Sequence, residues 1–176
     1  MIRPARVYDV SRMMKLINGF AREGFMLFRG PQVLYEDIRD FIVLVNESDV
    51  VFGCGALHVL WEDVAEVRAV AIDTRFHGQY YGTQLVRALI EQARSLGVSC
   101  VYAFTVVPAF FRKLDFTVVQ REEIPHKLYT ECSRCPKFYA CDEVAMVNTI
   151  TVLRKKATEI LRPVVTARTR SKERRS

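Results

Sequence analysis

Several things are scarce or missing in this chain, and each absence removes a class of protein. Long apolar runs are missing: stretches such as Phe41 to Val45 fall far short of the roughly 18 residues that mark a membrane-spanning helix. The opening MIRPARVYDV has no apolar segment of the kind a secretory signal carries. No internal repeat is found, and no low-complexity stretch precedes the end of the chain. The protein is therefore expected to be soluble and cytoplasmic, with no membrane partner.

An even cysteine count is also missing. Five cysteines argue against the disulfide framework of a secreted domain. Cys54 and Cys100 lie singly within apolar segments, where a free thiol behaves as a small hydrophobe. An excess of positive charge is missing from most of the chain as well. The formal charge is +6, yet residues 1–153 hold 17 Lys and Arg against 18 Asp and Glu, while residues 154–176 hold 9 against 2. The basic balance belongs to a terminal tail read as solvated, so nucleic acid is not an expected partner.

What is present is a core. Half of the 176 residues are apolar, with 11 Phe and 7 Tyr, which excludes a disordered chain and suits one domain. Ile2 to Val7 reads as a short strand, and Asp9 caps a helix whose Val10, Met13, Met14, Ile17 and Phe20 recur at helical spacing until Gly24. Val33 to Asp40 reads as a short helix after the Gly30-Pro31 turn, and Phe41 to Asn46 with Val50 to Leu60 as a hairpin. Ala65 to Asp73 is a central strand, continuously apolar at Val70-Ala71-Ile72.

The loop Thr74 to Gly82 opens into a helix with Leu85, Val86, Leu89, Ile90 and Ala93 on one face, ending at Gly97. Val98 to Thr105 is a strand, Pro108 to Leu114 a short helix, and Phe116 to Val119 and Glu143 to Ile150 the last strands. This order predicts an α/β (α+β) fold, a mixed sheet of about six to seven strands flanked by helices. Residues 1–150 form the domain. Residues 151–176 form the tail, which begins with a helix over Thr149 to Leu161 that Pro163 ends.

The strand ending at Val70-Ala71-Ile72, the loop His77-Gly78-Gln79-Tyr80-Tyr81-Gly82 and the helix after it make a candidate phosphate cradle. Backbone N–H groups at a helix start lack partners and lie at the positive end of the helix dipole. Taken alone this signal is weak, and from local residues turn and packing roles for Gly78 and Gly82 are the plainer explanation.

The run AVAIDTRFHGQYYGTQL, followed by Pro108-Ala109-Phe110-Phe111-Arg112-Lys113-Leu114-Asp115-Phe116, resembles the GNAT superfamily of acetyl-CoA-dependent N-acetyltransferases. The nearer resemblance is to the short N-acetylglutamate synthase type of arginine biosynthesis. Leu27-Phe28-Arg29-Gly30, Asp37-Ile38-Arg39-Asp40-Phe41, Gly53-Cys54-Gly55-Ala56-Leu57-His58, Ala65-Glu66-Val67-Arg68 and the block from Cys132 through Cys135 and Cys141 to Ala145 carry it.

The resemblance implies a GNAT fold, acetyl-CoA as co-substrate, and transfer of acetyl to the α-amine of glutamate or glutamine, the first step of arginine synthesis. It implies cofactor binding by the strand end Val70, Ala71 and Ile72, whose backbone N–H groups would meet the developing oxyanion, and by a pyrophosphate loop and helix start of His77, Gly78, Gln79, Tyr80, Tyr81, Gly82 and Thr83. His77 stands where the pattern has Arg or Gln, and Tyr80 where it has glycine. A Tyr resists positive φ and adds a ring where glycine lets a phosphate approach. GNAT domains often dimerise, and the apolar terminal strand and tail helix would contribute to a homodimer.

Acetyl transfer needs an unprotonated amine, a base for its proton, donors for the developing oxyanion and a way to tolerate the CoA thiolate. Glu66 matches the position of the family's proposed base, or is a strand-edge acid. Thr105 matches the candidate acid of the glutamate-type enzymes, since Phe111 replaces the Tyr that many members carry there. Arg29 and Arg68 are the candidates for meeting substrate carboxylates, with pairing of Arg68 to Glu66 as the alternative. His58 is placed as a further lining residue of that cleft.

Cys132, Cys135 and Cys141 with His126 offer three thiols and an imidazole, but a second Cys-x-x-Cys pair is absent. No metal is assigned, and reduced or redox-active cysteines in a loop over the substrate cleft are expected instead. Tyr80, His77 and Phe111 also motivate a second reading, a GNAT-fold binding or regulatory protein without catalysis. A third is acetylation of another amine.

Overall fold

The computed structural model describes residues 1–124, 132–135 and 137–151. His126 and the tail, including most of its expected helix, lie outside them. The elements run β1 Ile2–Pro4, α1 Val10–Arg22, α2 Pro31–Glu36, β2 Phe41–Val45, β3 Val51–Trp61, β4 Val64–Ile72, α3 Tyr81–Leu96, β5 Cys100–Thr105, α4 Pro108–Arg112, β6 Thr117–Val118 and β7 Val144–Thr149. The seven strands form one sheet in the order β1-β2-β3-β4-β5-β7-β6, antiparallel except for β4 beside β5.

The sheet separates two apolar clusters. On one side α1 buries Val10, Met13, Leu16 and Ile17 against Phe41, Val43, Cys54 and Ala56. On the other α3 buries Leu85, Val86, Leu89 and Ala93 against Phe52, Leu57, Val67 and Val101. The helical spacing of each apolar stripe and the alternation along β3 and β4, which changes phase at a bulge, dictate this sandwich. Gly55 permits it, since a Cβ there would come within 3.2 Å of Leu85 and Leu89.

Two irregularities position the site. The parallel pairing of β4 with β5 covers only Val64 to Glu66 against Cys100 to Tyr102, and beyond Glu66 the strands part. On its other side β4 is bulged: Arg68 pairs with Ala56 and Ala71 with Cys54, so Ala69 and Val70 both face Gly55. Ala69 takes φ +54°, a left-handed conformation that costs an alanine about 1 kcal/mol. The bulge re-aims the second half of β4 where it has lost its neighbour.

Candidate active site

The parting of β4 and β5 opens a cleft of about 940 Å³. Its floor is β4 from Glu66 to Ile72, and its walls are the segment between α1 and α2, the loop leading into α3, α4, and the turn holding Cys132 and Cys135.

The α3 side is built on backbone. Asp73, just past β4, accepts hydrogen bonds from the backbone N–H and guanidinium of Arg75 and from Arg12 at 2.9 Å. The hydrogen bonds from Arg75 hold the Asp73 carboxyl at about 2, below the usual carboxylate range. His77 donates from Nε2 to the Ile72 carbonyl at 2.9 Å, and its ring stacks on Phe20. These contacts fold the loop back onto the strand end.

Gly78 takes φ +76° and Tyr80 φ +61°, and α3 starts directly after. Its first hydrogen bond runs from Gln84 N–H to the Tyr80 carbonyl at 3.0 Å, and no side chain caps the helix. The N–H groups of Tyr81, Gly82 and Thr83 therefore have no acceptor within the helix, and all three residues line the cleft. A Cβ on Gly82 would touch the Phe110 ring at 3.3 Å, so glycine keeps the helix start close against α4. An uncapped sixteen-residue helix opening on a cleft fits the pyrophosphate of a CoA thioester.

Tyr80 overturns one expectation. It adopts the positive φ expected only of glycine, and it lines the cleft while remaining 77% exposed. Among the other loop residues, Val70, Ile72, His77 and Gly78 line the cleft. Ala71 does not: it is buried beneath α1. Gln79 also falls outside the lining and is exposed to solvent.

The opposite side depends on side chains. Glu66 is 3% exposed and lines the cleft at the last residue paired with β5. Arg68 lines it too, but its guanidinium is held by Asp37 at 2.9 Å, with Asp40 at 3.9 Å. The alternative expected partner for Arg68 was Glu66. Asp37 supplies one counter-charge for Arg68, from the segment joining α2 to β2. His58 is a correction. It lies outside the cleft wall, with Nδ1 2.6 Å from Asp40, and supports the Asp40 to Arg68 cluster from behind.

Arg29 lines the cleft from a segment that Asn18 clamps twice, through the Arg29 N–H at 2.9 Å and the Arg29 carbonyl at 3.0 Å. The Thr105 hydroxyl oxygen accepts the Val107 N–H at 3.0 Å, which leaves the hydroxyl proton to donate elsewhere. Phe111 is a core residue, packed edge to face on Phe110 and Phe116.

Sequence reasoning missed several wall residues: Phe25 and Met26 between the first two helices, Lys113 after α4, and Glu143 before β7. Only the proximity of the cysteine block carried a signal for Glu143. Among the described residues no group of three His, Cys, Asp or Glu is placed to hold a metal ion, and no helix is long and apolar enough to cross a membrane.

A parallel strand pair that splays around a bulge, with a helix start aimed into the gap, defines an acyl-CoA-binding fold. The family model described as Acetyltransferase (GNAT) family matches residues 12–116. An uncharacterised N-acetyltransferase of Chlorobaculum tepidum is 35% identical over 153 residues, 85% of this chain and 96% of that protein. An amino-acid acetyltransferase of Mycobacterium tuberculosis is 33% identical over 135 residues, 76% of this chain and 77% of the relative.

Among solved structures, a Mycobacterium tuberculosis protein in complex with CoA superposes with a TM-score of 0.74 at 28% identity, covering 86% of this chain and 99% of that one. N-acetylglutamate synthase from Neisseria gonorrhoeae, complexed with coenzyme A and N-acetyl-glutamate, shares the fold with a TM-score of 0.76 at 22% identity, and the match covers 86% of this chain and 35% of the synthase. The chain belongs to the GNAT acetyltransferase family. It is an acetyl-CoA-dependent N-acetyltransferase related to the amino-acid acetyltransferases.

Proposed function

We propose that this enzyme acetylates the α-amine of L-glutamate or L-glutamine, the first step of arginine biosynthesis. The observation that carries the reading is the convergence, in one cleft, of an anion cradle at α3, a buried carboxylate at Glu66 and two arginines, Arg29 and Arg68. A zwitterionic amino acid presents an amine to the first carboxylate and one or two carboxylates to the arginines. The relative named amino-acid acetyltransferase supports the same acceptor class.

The bound thioester supplies an activated acetyl group. Glu66 takes the ammonium proton, directly or through one water, so that the amine can attack. The backbone of residues 69–72, which has no strand beside it on the β5 side, supplies the N–H groups that stabilise charge on the acetyl oxygen. The uncapped N–H groups of Tyr81, Gly82 and Thr83 hold the pyrophosphate, and the loop from His77 shapes the approach. Thr105 directs its proton toward the departing sulfur. Arg29, on its clamped backbone, meets the substrate α-carboxylate. Arg68, neutralised in part by Asp37, fixes the floor on which the acceptor side chain rests.

A thiol-release assay with acetyl-CoA across the amino acids tests the reading. Turnover with glutamate or glutamine well above all other acceptors is expected, with arginine included as a candidate inhibitor. Release with polyamines or protein lysines, and none with either amino acid, would overturn it.

A further inference from the structure

The mechanism leaves one pair of nucleophiles in the cleft unused. Cys132 and Cys135 both line it, on the same cleft as Glu66 and Thr105. Residues Cys132–Arg134 form a single 3-10 turn, closed by a hydrogen bond from the Cys135 N–H to the Cys132 carbonyl at 3.0 Å. With three residues per turn and about 2 Å rise per residue, positions i and i+3 stand one above the other about 6 Å apart. That separation lies within the Cα range of a disulfide. Neither cysteine is in a disulfide, and both are partly exposed.

The remaining thiols differ. Cys54 is fully buried under α1, and burial pushes its thiol up to about 12, which makes it inert. Cys100 stands at the other end of β5 from the cleft. Cys141 lies outside the cleft wall, lining the small recess behind it, with its Sγ 3.9 Å from a Glu143 carboxylate oxygen. Only one pair of cysteines shares the space in which a CoA thiol is produced.

The geometry points to Cys132 and Cys135 as a dithiol modification site that is oxidised by the disulfide of CoA admitted through the cofactor cleft. In the first step one Cys thiolate attacks a sulfur of the CoA disulfide. A mixed disulfide forms, the CoA S–S bond breaks, and one CoA leaves as its thiolate. In the second step the other cysteine, having lost its proton to solvent, attacks the protein-side sulfur. The Cys132–Cys135 bond forms and the second CoA thiolate departs. The protein loses two hydrogens as protons, and one disulfide is reduced to two CoA thiols. Closing the bond fixes the turn, whose Cys135 lines a small recess together with Phe25, Met26 and Leu27 just ahead of Arg29, so the acceptor is affected more than the cofactor.

This inference rests on the CoA-binding cleft but not on which amine is acetylated. Its primary test needs no acceptor. The full, reduced chain is incubated with CoA disulfide or with glutathione disulfide, and intact mass, peptide mapping and free-thiol count are followed over time. We expect the loss of two thiols mapped to Cys132 and Cys135, about tenfold faster with CoA disulfide, slowed by excess acetyl-CoA and reversed by dithiothreitol. The oxidised enzyme should show a raised KM for the amino acid with a smaller change for acetyl-CoA.

Cys132→Ser and Cys135→Ser should each stop at the mixed disulfide or fail to react, while Cys141→Ser should respond as the wild type does. Equal rates with both disulfides, modification mapped to Cys100 or Cys141, or a stoichiometric metal that blocks the thiols would each overturn the assignment.

Discussion

The two sides of the cleft, the proposed cofactor side at the start of α3 and the proposed acceptor side at Arg29, Glu66 and Arg68, are built on different principles. The cofactor side is one continuous stretch, residues 69 to 83, whose working groups are backbone N–H donors held by local bonds from His77 to Ile72 and from Arg75 to Asp73. The acceptor side gathers side chains from distant segments: Arg29 ahead of α2, Asp37 and Asp40 ahead of β2, Glu66 and Arg68 on β4, Thr105 on β5. A backbone site depends on chain path more than on side-chain identity, and His77 and Tyr80 are the side chains at which that can be tested. A side-chain site depends on each charge and on the partner that holds it. Single substitutions should therefore be costly and selective on the acceptor side, and mild on the cofactor side.

The sharpest test is at Glu66. Glu66→Gln keeps the shape and removes the proposed base, so kcat should fall about 10²- to 10³-fold with both KM values nearly unchanged, the pattern of a group acting only in the transition state. Unchanged turnover in steady-state thiol release would remove Glu66 from the chemistry.

Next in size is the Asp37 to Arg68 pair. The Arg68 side chain is 6% exposed, and removing Asp37 takes away a partner at 2.9 Å from a buried cation that also has Asp40 3.9 Å away. Loss of a fully buried partner costs about 3–5 kcal/mol. Because Asp37 is itself partly exposed, Asp37→Ala should cost about 2 kcal/mol in denaturant unfolding, discounted for solvent screening. The amino-acid KM should rise about tenfold with the acetyl-CoA KM within twofold, since the lost interaction serves ground-state binding of one substrate. An equal rise for both substrates would erase the distinction between the two sides.

The pH response of the cofactor side is smaller. Asp73 is depressed to about 2 by its hydrogen bonds from Arg75 and by Arg12. A carboxylate with a folded pKa below its unfolded value of about 3.9 contributes fully above that value, and the contribution fades as pH falls through the folded pKa. Asp73→Asn should thus lower stability by a constant amount above about pH 4, and the wild-type advantage should shrink toward pH 2. A pH-independent difference would mean that Asp73 acts through shape alone.

Much of this architecture is legible in local pattern. The apolar stripes of α1 and α3, the hairpin of β2 and β3 and the strand into helix at Ile72 to Gly82 are short-range features, and the residues that carry them announce their periods. The bulge is not legible, because Ala69 has no residue-type signal for φ +54°. That conformation falls at the bulge, where Ala69 and Val70 face Gly55, on which Leu85 and Leu89 of α3 pack. The partner of Arg68 is also hidden: an arginine in an apolar strand demands a counter-charge, but only the fold brings Asp37 31 positions back to it. His58 was drawn to the cleft for its chemistry and sits instead on Asp40, since β3 pairs it opposite Glu66 at the far end of the opening.

The smallest expected effect is the most informative about the backbone site. Tyr80 holds φ +61°, which costs a non-glycine residue about 1 kcal/mol, and its ring is 77% exposed, so little packing would be lost on its removal. Tyr80→Gly relieves that strain but adds conformational freedom to the unfolded chain, an opposing term of about 0.4–1 kcal/mol. The two nearly cancel, and stability should move by less than about 0.5 kcal/mol. The three N–H groups that follow are set by the helix and not by the ring, so the acetyl-CoA KM should stay within about twofold. A tenfold drop in that KM, measured against an unchanged amino-acid KM, would show that the Tyr80 side chain obstructs the phosphate after all. The cofactor side would then be as dependent on individual side chains as the acceptor side.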